Sequence, residues 1–109
     1  MNWLHIAGPA ENIFQYYPDA GVELANFDYC VDPLRARQIV PQICLDGNIK
    51  PLSFIEKTPK EIASESDSLL SLFGTRGGFI LSSGCEIPPE SAPVNVAAMV
   101  SAARARKVG

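Results

Sequence analysis

Four times along this chain an apolar run of strand length breaks at a turn residue, and a segment of helical pattern follows. Asn2–Ala7 stops at Gly8-Pro9, and Val22–Phe27 stops at Asp28. Gln42–Leu45 stops at Asp46-Gly47-Asn48, and Phe79–Ser82 stops at Gly84. Short, nearly continuous apolar runs bounded in this way read as strands covered on both faces. The segments between them carry helix signals. Ile13, Phe14 and Tyr17 recur at helical spacing within Ala10–Tyr17. Asp32-Pro33 opens a helix that runs to about Val40 and stops near Pro41: the aspartate can accept from free backbone N–H groups, and proline at the first position gives up no hydrogen bond. Thr58-Pro59-Lys60-Glu61 is a capping box that opens a helix with Ile62, Leu69, Leu70 and Phe73 inward, closed at Gly74. The last helix, Pro93 to about Lys107, places Val96, Met99, Val100 and Ala103 on one face. Arg104, Arg106 and Lys107 suit the negative end of its dipole.

Strict alternation of strand and helix predicts an α/β fold with parallel strands and right-handed crossovers, forming a single domain over residues 1–109. Four βα units are half of an eight-unit (β/α)8 TIM barrel, which usually needs about 250 residues. A four-stranded open sheet satisfies the same pattern. In a half-barrel the first and last strands are free edges, and the inward layer lacks its opposite wall. Such a surface seldom stays bare. The expected partner is therefore a second copy, giving a homodimer, or a separate chain carrying an amino-terminal half-barrel.

Charge and cysteine usage narrow the classes of function. A net charge of −3 supplies no basic face for phosphates, which argues against nucleic acid. No apolar run approaches the roughly 20 residues of a membrane span. The opening Met1-Asn-Trp-Leu-His has neither a basic n-region nor a secretory h-region. Three cysteines are an odd number for a disulfide framework, which reads as reduced thiols in a cytoplasmic protein.

In either fold the chemistry belongs beyond the carboxyl ends of the strands. His5 and Ala7, Asp28 and Cys30, Asp46 and Asn48, and Cys85 and Glu86 collect there. Each has a bland alternative. A single histidine beside an apolar strand is commonly a hydrogen-bonded structural residue. Cys44, within a strand, reads as a small core residue, and Cys30 as an ordinary loop thiol. Asp28 and Asp46 have the residue type that caps turns. Cys85, beside Gly84, is the leading candidate for zinc or thiolate chemistry, with an inert buried thiol as its alternative.

Three segments carry a resemblance. Phe79-Ile-Leu-Ser-Ser-Gly-Cys-Glu-Ile-Pro-Pro-Glu90, followed by Ala92-Pro93-Val94-Asn95-Val96, resembles the carboxyl-terminal signature of the uroporphyrinogen decarboxylase superfamily. Leu4-His5-Ile6-Ala7-Gly8 is similar to its His-x-Cys-Gly strand end, and Cys44-Leu45-Asp46-Gly47-Asn48-Ile49 to its Gly-Asn-(Ile/Leu)-Asp-Pro turn. The resemblance implies a (β/α)8 barrel of which this chain holds strands five to eight. Decarboxylases of that superfamily use arginine and aspartate from the amino-terminal half and a histidine in a Gly-His motif. Gly84-Cys85 stands at the Gly-His position, which is similar to the corrinoid-dependent methyltransferase branch. There a zinc held by His-x-Cys and a distant Cys activates a thiol, typically coenzyme M, to take a methyl group from methylcobalamin carried by a corrinoid protein. By motif position the resemblance makes His5 and Cys85 metal ligands, with Asp28, Asn48 and Glu86 as substrate-binding candidates on the same rim. It assigns no catalytic acid or base. Ala7 replaces the middle ligand, so Cys30 or Glu86 would have to complete the set, and Lys50 replaces the aspartate of the turn. Three roles follow from the resemblance: a methyltransferase-like piece inactive alone, a non-catalytic subunit that completes a partner's barrel, or a piece of a tetrapyrrole decarboxylase.

Overall fold

The structure, a computed structural model, describes residues 1–74 and 77–106. In chain order these form β1 (Trp3–His5), a 3-10 helix (Ala10–Tyr16), β2 (Leu24–Asn26), α1 (Pro33–Ile39), β3 (Cys44–Ile49), α2 (Ser53–Glu56), α3 (Pro59–Phe73), β4 (Phe79–Ser83) and α4 (Pro93–Ala105). The four strands make one sheet in the order β1-β2-β3-β4, and every pair is parallel. This order discriminates between the two architectures. Right-handed crossovers that always step in one direction send every helix to the same face, whereas a doubly wound open sheet must reverse its direction. The sequence of strands is that of a barrel wall.

Packing agrees with the order. Leu4, Ala25, Leu45 and Phe79 share one register row and lie against the helices, in a cluster with Phe14, Phe27, Val40 and Phe73. A second cluster joins Ile49, Phe54, Ile62, Leu69 and Met99, with Leu81 packed against it. Because strand side chains alternate, the neighbouring row His5–Asn26–Asp46–Ile80 points to the other face. Among the described residues no helix covers that face, and Trp3 and Ile80 remain 64% and 48% exposed on it.

The sheet is also strongly curled. The Asn26 side-chain amide, on β2, donates to the carbonyl of Ser83 on β4 (3.1 Å), although β3 lies between those strands. At Gly84, just past β4, an added Cβ would lie 2.6 Å from the backbone nitrogen of Tyr29, just past β2. Two strands apart in a flat sheet is about 10 Å. The chain ends of β2 and β4 therefore converge on the inside of a curve, and only glycine fits where they meet. These four βα units form half of a (β/α)8 barrel.

Three local expectations change. The third strand extends from Cys44 to Ile49, so Asp46-Gly47-Asn48 lies within it and does not end it. Turn-forming residue types gave way there to a full parallel ladder with β4, from Leu45↔Phe79 to Ile49↔Ser83; the Gly47–Asn48 peptide within it is cis. On α4 the buried residues are Asn95, Met99 and Ala102, while Val100 is exposed. Asn95 explains the rotated face: its amide donates to the carbonyls of Phe54 and Lys57, both at 2.8 Å, an anchor that apolar periodicity does not register. Lys107, the expected helix end, lies outside the described residues. At α1, Asp32 occupies the N-cap position but its side chain makes no capping bond. The capping box of α3 is formed in both directions, Glu61 N–H to Thr58 Oγ1 (3.2 Å) and Thr58 N–H to the Glu61 carboxylate (3.1 Å). Among the described residues, no helix is long and apolar enough to cross a membrane.

Candidate functional site

His5 ends β1 and Cys85 follows β4, the two strands at opposite edges of the sheet. In a flat sheet those edges are about 14 Å apart. Here the Cys85 Sγ lies 3.7 Å from the His5 Nε2. The curl brings together two side chains 80 residues apart in sequence. His5 is exposed and Cys85 half-buried, so the pair opens to solvent.

The loop that presents Cys85 is fixed at several points. The Gly84 N–H donates to the Ile49 carbonyl at 2.8 Å, and the Ser83 hydroxyl donates to the Cys85 carbonyl. Below it, the Ser82 hydroxyl donates to Asp46 Oδ1. The Asn26 amide donates to the carbonyls of Asp46 (2.9 Å) and Ser83 (3.1 Å). Asn26, Asp46 and Ser82 thus form a polar floor beneath the pair, on the uncovered face. Asn26 and Ser82 were not singled out from sequence. The available signal was the period of two: Asp46 and Asn48, Ile80 and Ser82, and Leu24 and Asn26 each occupy alternate positions of one strand.

Asp28 joins the loops that follow β1 and β2. Its carboxylate accepts from the N–H of Gly8 (2.9 Å) and from that of Cys30 (3.1 Å). Burial pushes its pKa up, but the hydrogen bonds from Gly8 and Cys30 and the neighbouring His5 outweigh burial and hold it below the ordinary carboxylate value. The Cys30 thiol shifts the other way: desolvation first, then the hydrogen bond to Asp28 and the charge of Asp28, raise its pKa. Asn48 is buried, and its amide donates to the carbonyls of Asp28 (3.1 Å) and Val31 (2.8 Å), so it ties β3 to the Asp28 loop. Glu86 is exposed and makes no hydrogen bond or ion pair among the described residues.

The structure thus gathers His5, Cys85 and Asp28 at one end of the sheet, sets Asn48 behind them and leaves Glu86 outside. Adjacent ligands of a tetrahedral zinc, with Zn–S near 2.3 Å and Zn–N near 2.0 Å, are about 3.5 Å apart. The 3.7 Å separation of Sγ and Nε2 fits two corners of that tetrahedron. The remaining corners have no further His, Cys, Asp or Glu donor among the described residues. Among the described residues no group of three or more His, Cys, Asp or Glu side chains is placed to hold one metal ion. Ala7 offers only an exposed methyl group at the middle position. A cavity of about 1340 Å³ opens at the other end of the strands, lined by Val22, Ile43, Cys44 and Gly78, and takes no part in this arrangement.

The sequence profile of the family described as Uroporphyrinogen decarboxylase (URO-D) matches residues 2–106. The chain belongs to the uroporphyrinogen decarboxylase family. It is 35% identical over 83 residues to the uroporphyrinogen decarboxylase of Dichelobacter nodosus, an alignment covering 75% of this chain and 24% of that one. It is 31% identical over 87 residues to that of Serratia proteamaculans, covering 79% of this chain and 24% of the relative. The chain therefore spans about a quarter of the length of the curated relatives it matches. Its fold is similar to that of a methyltransferase from Methanosarcina mazei, with a TM-score of 0.80 and 24% identity over 92% of this chain and 29% of the other.

Proposed function

We propose that this uroporphyrinogen decarboxylase family chain carries half of a thiol-activating zinc site, of the kind used in the methyltransferase branch. The observation that supports this reading is the 3.7 Å approach of Cys85 Sγ to His5 Nε2 from opposite edges of one curled sheet. A second support is chemical: Cys85 stands where the decarboxylase pattern has histidine, so the curated relatives' named activity transfers poorly to this rim.

His5 and Cys85 would hold the ion. Zinc bound there supplies positive charge that lowers the pKa of a substrate thiol and keeps it a thiolate at neutral pH. The chain's own residues do the positioning. Gly84 lets the Cys85 loop lie against Tyr29, and the Ser83 hydroxyl fixes the Cys85 carbonyl. Asn26 ties β3 to β4 beneath the pair, and Asp28 fixes the loop after His5. The thiol acceptor and the methylcobalamin donor, borne by a corrinoid protein, belong on the uncovered face beside Asp28, with Asn48 supporting the Asp28 loop from behind and Glu86 free to meet an incoming partner from outside.

Ala7 favours a second reading, a non-catalytic subunit that lends its wall to a partner's barrel, because it removes a donor without disturbing the fold. Cobalt(II) titration separates the two. The thiol-activating reading expects a sulfur-to-cobalt charge-transfer band that is lost in Cys85→Ser and in His5→Ala while the circular dichroism is unchanged. A wild-type protein that gives no such band leaves the subunit reading.

A further inference from the structure

We infer that the inner floor of the sheet binds a small organic cation: a primary ammonium group on an apolar stem, held by Asp46 and Asn26 beneath the rim. No metal enters this site, and it stands apart from the zinc reading above.

Every polar hydrogen of the floor is already spent. The Asn26 amide has two, and they go to the carbonyls of Asp46 (2.9 Å) and Ser83 (3.1 Å). Carbonyls cannot donate, so these two fix the amide nitrogen on their side and leave Oδ1 as the free end. The single hydroxyl hydrogen of Ser82 is taken by Asp46 Oδ1 or by the Ser83 carbonyl. What remains can only accept. Asp46 Oδ2 and Asn26 Oδ1 receive no hydrogen bond among the described residues, and no lysine or arginine there forms an ion pair with Asp46. Asn26 and Asp46 are register partners on adjacent strands, 7% and 9% exposed, so the two oxygens belong to one patch. Neither oxygen is sealed: among the described residues, the partnerless side-chain atoms closed off from solvent are Tyr17 Oη, Ser66 Oγ, Ser91 Oγ and Asn95 Oδ1.

A carboxylate so far out of water, with no counter-charge, calls for a cation that brings its own donors. An ammonium group has three N–H donors and no acceptor, the complement of this floor. A carboxylate, sulfonate or phosphate would meet only oxygen and negative charge. A magnesium or calcium ion takes about six or more oxygen ligands, and the floor has two to give. The surroundings suit an apolar stem. Ile80 is the register partner of Asp46 on β4, and the exposed ring of Trp3 lies on the same face.

Amide NMR of the isotope-labelled, metal-free chain at constant ionic strength tests the site. The probe is butylammonium, with butanoate and butanol as the matched anion and neutral molecule, and magnesium as a metal alone. Butylammonium should give saturable shifts centred on the Asn26 side-chain amide and on Ser82 and Ser83, and butanoate none. Asp46→Asn keeps the shape of the side chain and should weaken butylammonium about tenfold or more, the worth of a hydrogen bond to a charged group; butanol should bind the wild type more weakly by a similar factor. Glu56→Gln, which removes a carboxylate on the helix side, should change nothing. Shifts that never saturate, butanoate or butanol binding as tightly as butylammonium, the same shifts from magnesium, or an affinity indifferent to Asp46→Asn would each overturn the site. The wild-type comparisons need no variant to fold. Failure here is distinct from failure of the zinc reading, which the cobalt band reports.

Discussion

The two faces of this sheet are built from alternate residues of the same four strands, and they obey different rules. On the helix side, Leu4, Ala25, Leu45 and Phe79 are apolar and packed, with Leu45 at 0% exposure. On the inner side, Asn26, Asp46 and Ser82 are polar and bonded to one another or to backbone, His5 meets Cys85, and Trp3 is exposed at one end. The first face holds the fold together; the second holds the residues from which a site can be made. One strand residue apart is enough to change the role.

This contrast is open to mutation. Leu45→Ala carries the largest expected effect, a loss of about 2–5 kcal/mol in a urea unfolding experiment, because it leaves a cavity in the covered face. Asn26→Leu comes next. It removes a buried amide that bonds the Asp46 and Ser83 carbonyls; each keeps a second donor, the Phe27 N–H and the Ser82 hydroxyl, so the expected loss by the same measurement is that of the bonds themselves, about 0.5–1.5 kcal/mol each. If Asn26→Leu were neutral, the inner network would have no part in holding the curl.

The acid limb of stability tests the loop clamp. Asp28 has its pKa depressed in the folded protein, so its contribution is present above the unfolded carboxylate value of about 3.9 and is lost as pH falls through the folded value. Asp28→Asn should therefore unfold with a shallower pH dependence across that acid range, followed by thermal denaturation at successive pH values. An unchanged slope would remove Asp28 from the account. Trp3→Ser has the smallest expected effect on the stability of the isolated chain, within about 0.5 kcal/mol, since the ring is 64% exposed. A cost as large as that of Leu45→Ala would mean that the inner face is already covered.

How much of this was legible beforehand follows the same division. The strand–helix alternation, the Thr58 capping box and the apolar row under the helices are local signals, and they carry over to the structure. The choice of barrel wall over open sheet needed the strand order, which no local pattern contains. His5 and Cys85 were singled out by residue type and by resemblance; their contact depends on curl, a property of the whole sheet. Asp46-Gly47-Asn48 misled because turn-type residues also serve where strands approach closely: a Cβ at Gly47 would lie 2.9 Å from the Phe27 carbonyl oxygen. Asn95 was missed for a related reason, since a buried amide anchored to two carbonyls looks in sequence like any polar residue on a helix.

The chain has one histidine, so its ring protons are a unique reporter of the rim in proton NMR. The decisive measurement is a nuclear Overhauser spectrum, with Cys85→Ser used to assign the partner. The account predicts cross-peaks between the His5 ring and the β-protons of Cys85 within one folded chain. Ring cross-peaks confined to residues of β1 and β2, with none to Cys85, would contradict it: the two edges would then be apart and the sheet not curled into a barrel wall.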